Sequence, residues 1–238
     1  MHTKIVKWLK RQVAGAGAQG VVLGLSGGID SCVVAVLARR ALGAKKVLAL
    51  FLPCHSQPQD KKDARLLARK FGIQLTTVDL TGTYDTLVAA LPAADRMTRA
   101  NIRPRLRMIT LYYFARKFNY LVAGTSNKSE ILTGYFTKFG DGASDLLPLG
   151  NLYKSQVRKL AREIGIPEPI IAKPPTAGLW ANQTDEGEMG ITYPELDDIL
   201  SRMEKRQKQV VSADKVKRVK LLMKRSEHKR LKTRACQV

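Results

Sequence analysis

Apolar residues along this 238-residue chain follow two alternating rhythms. Short runs at Val21 to Leu25, Val47 to Leu52, Gln74 to Val78 and Tyr120 to Ala123 read as strands. Between them, helical spacing predicts helices over about Ile29 to Leu42 and Gln59 to Phe71, with a shorter one after Thr83 that carries Leu87, Val88 and Leu91. Pro104 suits the first turn of a helix, and Leu106, Ile109, Tyr113 and Phe114 then recur at threes and fours. Strand and helix in alternation imply an α/β fold, a parallel sheet with helices on both faces.

At the N-terminus, Ile5, Trp8, Leu9 and Val13 fall between Lys4, Lys7, Lys10 and Arg11 at helical spacing, which predicts an amphipathic helix and not a signal peptide. A helix is expected from about Lys154 to Ile164, stopped by Gly165 and Pro167, with regular structure pausing in the proline-rich stretch Pro167 to Pro175. Leu196, Ile199, Leu200 and Met203 share one face of a later helix, and Ser212 is a candidate N-cap before Val216, Val219 and Met223. The expected organisation is a single domain, with a core over 1–190 and C-terminal helices and a basic tail over 191–238.

Charge adds a second theme. Forty-one Lys and Arg stand against twenty Asp and Glu, a formal net charge of +21. About half the excess lies in 201–238, where fourteen basic residues meet Glu204, Asp214 and Glu227. Nucleic acid, acidic nucleotides and a merely solvated basic face all fit such a balance. No apolar stretch reaches the ~18–20 residues of a membrane span. Cys32, Cys54 and Cys236 are odd in number and widely spaced, without zinc or disulfide spacing, so a reducing cytoplasm is the expected location.

The sharpest chemical signal is Gly24-Leu25-Ser26-Gly27-Gly28-Ile29-Asp30-Ser31, which leaves a predicted strand and opens a predicted helix. In that setting backbone N–H groups and the helix N-terminus hold anions. It fits neither GxxxxGK[ST] nor GxGxxG. The SGGIDS run resembles the signature of the N-type ATP pyrophosphatases, which cleave ATP between the α- and β-phosphates and adenylate an oxygen of a second substrate. The resemblance implies a Rossmann-like, adenine nucleotide alpha hydrolase-like fold, with Ser26, Gly27, Gly28 and Ser31 cradling the β/γ-phosphates and Asp30 binding Mg²⁺.

Further segments are similar to ammonia-dependent NAD synthetase. They are Asn101 to Met108 (NIRPRLRM), Gly124 to Glu130 (GTSNKSE), Gly134 to Gly142 (GYFTKFGDG), Asp145 to Pro148, Leu152 to Val157, Lys173 to Trp180 (KPPTAGLW), Gln183 to Gly190 (QTDEGEMG) and Ser226 to Arg230 (SEHKR). The reaction this implies has two steps: the carboxylate of deamido-NAD attacks the α-phosphate of ATP and releases pyrophosphate, then ammonia converts the acyl-adenylate to NAD and AMP. By the same resemblance, Glu130 joins Asp30 at Mg²⁺, and Asp30, Glu130 and Lys154 are the catalytic set. ATP is expected along Gly24 to Ser31 and at Thr125, Lys154 and Thr176; deamido-NAD is expected at Arg105, Lys138, Asp145, His228 and Lys229. Asp141 and Asp145 are candidates for steering ammonium by charge.

Each residue has a plainer alternative: Lys154 as a solvated helix start, Glu130 as a cap or ion-pair partner, Arg105 as one charge on an exposed face. His228 rests on the SEHKR match alone. The implied assembly is a homodimer, with the helix around Arg105 to Phe114 as interface through Met108, Leu111 and Tyr112. The competing readings are an adenylating enzyme acting on transfer RNA and a non-enzymatic RNA-binding module. Paired cysteines suited to the former are absent, and 201–238 offers no Phe, Tyr or Trp on which bases would stack; nucleic acid is therefore not the expected partner.

Overall fold

The computed structural model describes residues 1–178, 180, 183–233 and 235–236. Leu179 of the KPPTAGLW segment and Arg234, Gln237 and Val238 of the basic tail lie outside the described residues. The chain begins with α1 (His2–Gly15), then alternates β1 (Gly20–Gly24), α2 (Ile29–Leu42), β2 (Val47–Phe51), α3 (Pro58–Phe71) and β3 (Gln74–Thr77). Next come α4 (Thr81–Ala90), α5 (Arg96–Ala100), the long α6 (Ile102–Phe118) and β4 (Tyr120–Val122). The strands form one parallel sheet in the order β3-β2-β1-β4.

Each strand ends one residue before its expected apolar run does, although the hydrogen bonding of β1, β3 and β4 continues past that end. Leu25 N donates to Leu50 O at 2.8 Å, Val78 N to Phe51 O at 3.0 Å and Ala123 N to Val22 O at 2.9 Å. Alternation along β1 sends Val21 and Leu23 to one face and Val22 to the other. The first face is covered by α1, α2, α3 and the later α8 (Lys154–Ile164), the second by α4 and α6. Helix α2 is apolar almost all round and buried from Ser31 to Ala38, as a helix in the middle of a core must be.

Helix α7 (Lys128–Thr133) follows β4, and a third apolar cluster gathers α11 (Tyr193–Glu204) and α12 (Ala213–Arg225) against Tyr153 and Met189. Short helices α9 (Glu168–Ala172), α10 (Asp185–Met189) and α13 (Glu227–Arg230) complete the chain. Helix α9 corrects the expectation that regular structure pauses after Pro167. Pro169 is tolerated in the first turn, where its missing N–H is not needed, and burial of Ile170 and Ile171 drives the turn. Ser212 does stand at the N-cap of α12, but its side chain makes no capping bond.

Helix α6 corrects a second expectation. Met108 and Leu111 line a cavity, and Tyr112 donates to Asp145 Oδ1 at 3.3 Å. The outward apolar stripe is instead Ile109, Tyr113 and Phe118, 59%, 61% and 42% exposed. Among the described residues no helix is long and apolar enough to cross a membrane, and Cys32 and Cys54 are buried thiols.

Candidate active site

A cavity of about 800 Å³ opens at the carboxyl ends of β1, β2 and β4. There the chain runs to one side from β1 to β2 and returns on the other as β4, the place where open α/β sheets leave a crevice for ligands. The turn from β1 into α2 forms its floor. Gly27 has φ +82°, and a Cβ on it would lie 2.6 Å from the Asp60 carbonyl oxygen, so only glycine lets the turn lie against the start of α3. Ser31 closes the loop: its hydroxyl donates to Gly28 O at 2.9 Å and accepts from Ser26 N at 3.2 Å. Gly28 N donates to Ser26 Oγ at 3.2 Å. The N-terminus of α2, with its unpaired N–H groups and positive dipole end, therefore faces the turn.

Above this cradle, Lys154 at the start of α8 reaches two carboxylates. Its Nζ donates to Asp30 Oδ2 at 2.5 Å and to Glu130 Oε1 at 3.2 Å, with the lysine side chain only 3% exposed. Burial pulls the Lys154 pKa down, but Asp30 and then Glu130 outweigh it, and the ammonium is held charged well above its ordinary range. Glu130 is pushed up, by burial first and by neighbouring Asp30 and Asp185, against the pull of Lys154.

Each member is placed by a local device. Glu130 sits at N3 of α7 in a capping box with Asn127, whose side-chain amide also donates to Asp30 Oδ1 at 3.0 Å. Lys154 N donates to Ser129 Oγ at 3.0 Å, and Ser129 Oγ donates to Asp197 Oδ1 at 2.5 Å. Lys154 Nζ lies 4.9 Å from the Tyr193 ring centre, and Tyr193 OH donates to Asp185 Oδ2 at 3.0 Å. Asp185 lines the cavity with its Oδ1 buried and unpartnered, and burial raises its pKa.

The family model described as "NAD synthase" matches residues 1–233. The chain belongs to the NAD synthase family. It is accordingly an NAD-forming ligase, and the transfer-RNA reading is not favoured. A curated NH(3)-dependent NAD(+) synthetase from Carboxydothermus hydrogenoformans is 47% identical over 95% of this chain and 93% of its own length. Among solved structures, an NMN synthetase from Francisella tularensis is similar at TM-score 0.92 and 41% identity, covering 100% of this chain and 97% of that one. An NH3-dependent NAD synthetase from Campylobacter jejuni is similar at TM-score 0.87 and 30% identity, covering 99% and 97%.

The residues expected to bind ATP, namely Gly24 to Ser31 with Thr125, Lys154 and Thr176, meet around this cavity, although Gly27 turns against α3 and is not among its lining. Thr176 Oγ1 accepts from Gly178 N at 3.0 Å. Of the five residues expected at deamido-NAD, Lys229 lines the cavity, and three others are joined to one another through the backbone. Arg105 donates to Lys138 O at 3.3 Å, and Lys138 Nζ to His228 O at 2.7 Å. Lys229 Nζ donates to Gly134 O at 3.0 Å and Phe136 O at 2.9 Å, and burial lowers its pKa. Asp145 stands apart, accepting from Val122 N at 2.7 Å and from Tyr112 OH. Asp141, which lines the cavity, accepts from Thr137 N at 2.8 Å.

The supporting residues Asp185, Tyr193 and Asp197 have no assigned role in the sequence reading. Asp185 lies inside the quoted QTDE run, the one signal that could have found it. Nothing local marks Asp197, whose partners are 42 and 68 residues away.

Proposed function

We propose that the chain carries out ATP-dependent amidation of deamido-NAD with ammonia in this cavity, through an acyl-adenylate. The observation that carries the reading is the convergence of a phosphate cradle with Asp30, Glu130 and a buried, charged Lys154. In the first step a nicotinate carboxylate oxygen attacks the α-phosphorus, the bond to the bridging oxygen breaks, and pyrophosphate leaves. Negative charge builds on that oxygen and on the phosphoryl group. The cradle N–H groups face that charge, and the Lys154 ammonium adds its counter-charge once it turns from the carboxylates. In the second step ammonia attacks the acyl carbon, AMP departs with the carboxyl oxygen, and a proton is released.

Asp30 and Glu130 suit Mg²⁺. They are two hard carboxylates converging on one cation, here the Lys154 ammonium, and Mg²⁺ is commonly held by one or two carboxylates together with substrate phosphates. The described residues form no cluster of three or more His, Cys, Asp or Glu for an all-protein cage. When bound, the ion would supply charge neutralisation on the triphosphate. Lys154 would then turn to the phosphates, and Arg105, Lys138, Asp145, His228 and Lys229 would receive deamido-NAD once their backbone bonds open.

Two copies associate through Ile109, Tyr113 and Phe118 of α6, and the buried thiols of Cys32 and Cys54 suit the cytoplasm. A monomer by light scattering at working concentration would remove the dimer.

Product analysis after incubation with Mg-ATP, ammonium and deamido-NAD tests the activity. Stoichiometric NAD, AMP and pyrophosphate are expected only in the complete mixture; AMP without NAD would point to another acceptor. The likeness to the Francisella protein at TM-score 0.92 favours a second acceptor, nicotinate mononucleotide, with the same carboxylate. The ratio of kcat/KM for the two acids decides between them.

A further inference from the structure

A second cavity, of about 620 Å³, adjoins the first. Asp60, Lys173 and Thr176 stand in the walls of both. The rest of the smaller cavity is strongly cationic, with Arg96, Arg99 and Arg103 contributed by α5 and the start of α6. Arg96 is held over the Trp180 ring at 4.5 Å and Arg103 over the Tyr84 ring at 5.0 Å. Among the described residues, neither Arg96 nor Arg99 forms a salt bridge.

Lys173 is different. Its Nζ donates to Asp60 Oδ1 at 2.8 Å and Asp63 Oδ2 at 2.9 Å, and the Asp60 carbonyl is the atom against which Gly27 of the cradle packs. A lysine–aspartate partition therefore separates the phosphate cradle from three guanidiniums. Guanidinium groups bind phosphate oxygens through paired N–H donors, and a guanidinium stacked by its face on an aromatic ring is pre-oriented to donate from its edge. Clustered like charges around a concave, low-dielectric wall also raise the local concentration of a polyanion.

We propose that this second cavity is an exit vestibule for pyrophosphate, which passes from the cradle beside Lys173 to Arg96, Arg99 and Arg103. The assignment rests on the adenylating activity proposed above. Once the bond between the α-phosphorus and the bridging oxygen has broken, the product is a compact polyanion in a cradle built to hold it. A second cationic site one wall away draws it out and leaves the acyl-adenylate facing ammonia. The triphosphate tail of ATP has the same chemistry, and the test separates the two.

Calorimetric titration is done with inorganic pyrophosphate and, separately, with α,β-methylene-ATP. The protein is the full chain carrying Trp8→Phe, so that Trp180 is the only tryptophan and its emission reports on the vestibule. Two pyrophosphate sites are expected, with a saturable change in Trp180 emission. Arg99→Glu and the double variant Arg96→Ala/Arg99→Ala change exposed side chains, and should weaken one site at least about tenfold while the ATP analogue binds within twofold of the parent. A single pyrophosphate site, two sites unaffected by either variant, or an equal loss of the ATP analogue would each overturn the vestibule. Because no acceptor is present, two-site binding by a protein that makes no NAD would sink the proposed activity and spare the site.

Discussion

Lys154 carries a heavy electrostatic load, since its ammonium is the counter-charge for Asp30 and Glu130 in a place nearly closed to water. Lys154→Met leaves those carboxylates facing each other and is expected to lower stability by about 3–5 kcal/mol, read from urea unfolding midpoints. The same change should slow adenylation by about 10²–10³-fold. Asp30→Asn should likewise reduce the rate of pyrophosphate release far more than it weakens deamido-NAD binding, because the role proposed for it is played in the transition state. Equal losses in rate and binding would show that these residues only position substrate. Gly27→Ala imposes a left-handed backbone on alanine and drives its Cβ into the Asp60 carbonyl. A loss of about 1–3 kcal/mol is expected, with weaker ATP binding because the turn must lift off α3; an unchanged melting temperature would contradict the close approach.

At the level of elements, the C-terminal helices are tied down by exposed acid–base pairs. Glu204 is held below the usual carboxylate range by hydrogen bonds from Lys128 and Tyr153, and Glu195 by those from Lys215 and Thr192. Since the folded pKa lies below the unfolded one, each contributes stability above the ordinary glutamate range. That contribution is lost as pH falls through the lowered value. Amide protection factors in α11 and α12, corrected for the intrinsic exchange rate, should therefore fall below about pH 4.3, and less steeply in Glu204→Gln; identical pH profiles would remove the pair from the account.

The same scale shows what local pattern could reveal. Strands, α2 and the SGGIDS turn were legible because their determinants lie within a few residues of one another. The outward stripe of α6 was not, because Met108, Leu111 and Tyr112 are as apolar as Ile109 and Tyr113, and only the position of the sheet decides which stripe is covered. Helix α9 hid behind its prolines, its cause being the pocket that buries Ile170 and Ile171. Lys154, Asp185, Tyr193 and Asp197 meet only in three dimensions, so their cooperation could not be read from spacing.

Across the whole molecule, a formal charge of +21 makes self-repulsion a general term in stability. Screening shortens from about 10 Å at 0.1 M salt to about 3 Å at 1 M, so the melting temperature should rise over that range in sodium chloride. A fall would mean that ion pairs such as Lys173 with Asp60 and Asp63 outweigh the repulsion. The tether from Lys154 through Ser129 to Asp197 has a consequence in time as well as in space. During synthesis, β1, β2 and β3 can begin to pair while the rest of the chain is still unmade. Lys154 gains its anchor only after α11 has been translated, so a nascent or prematurely terminated chain can carry the glycine turn in outline and still be chemically silent.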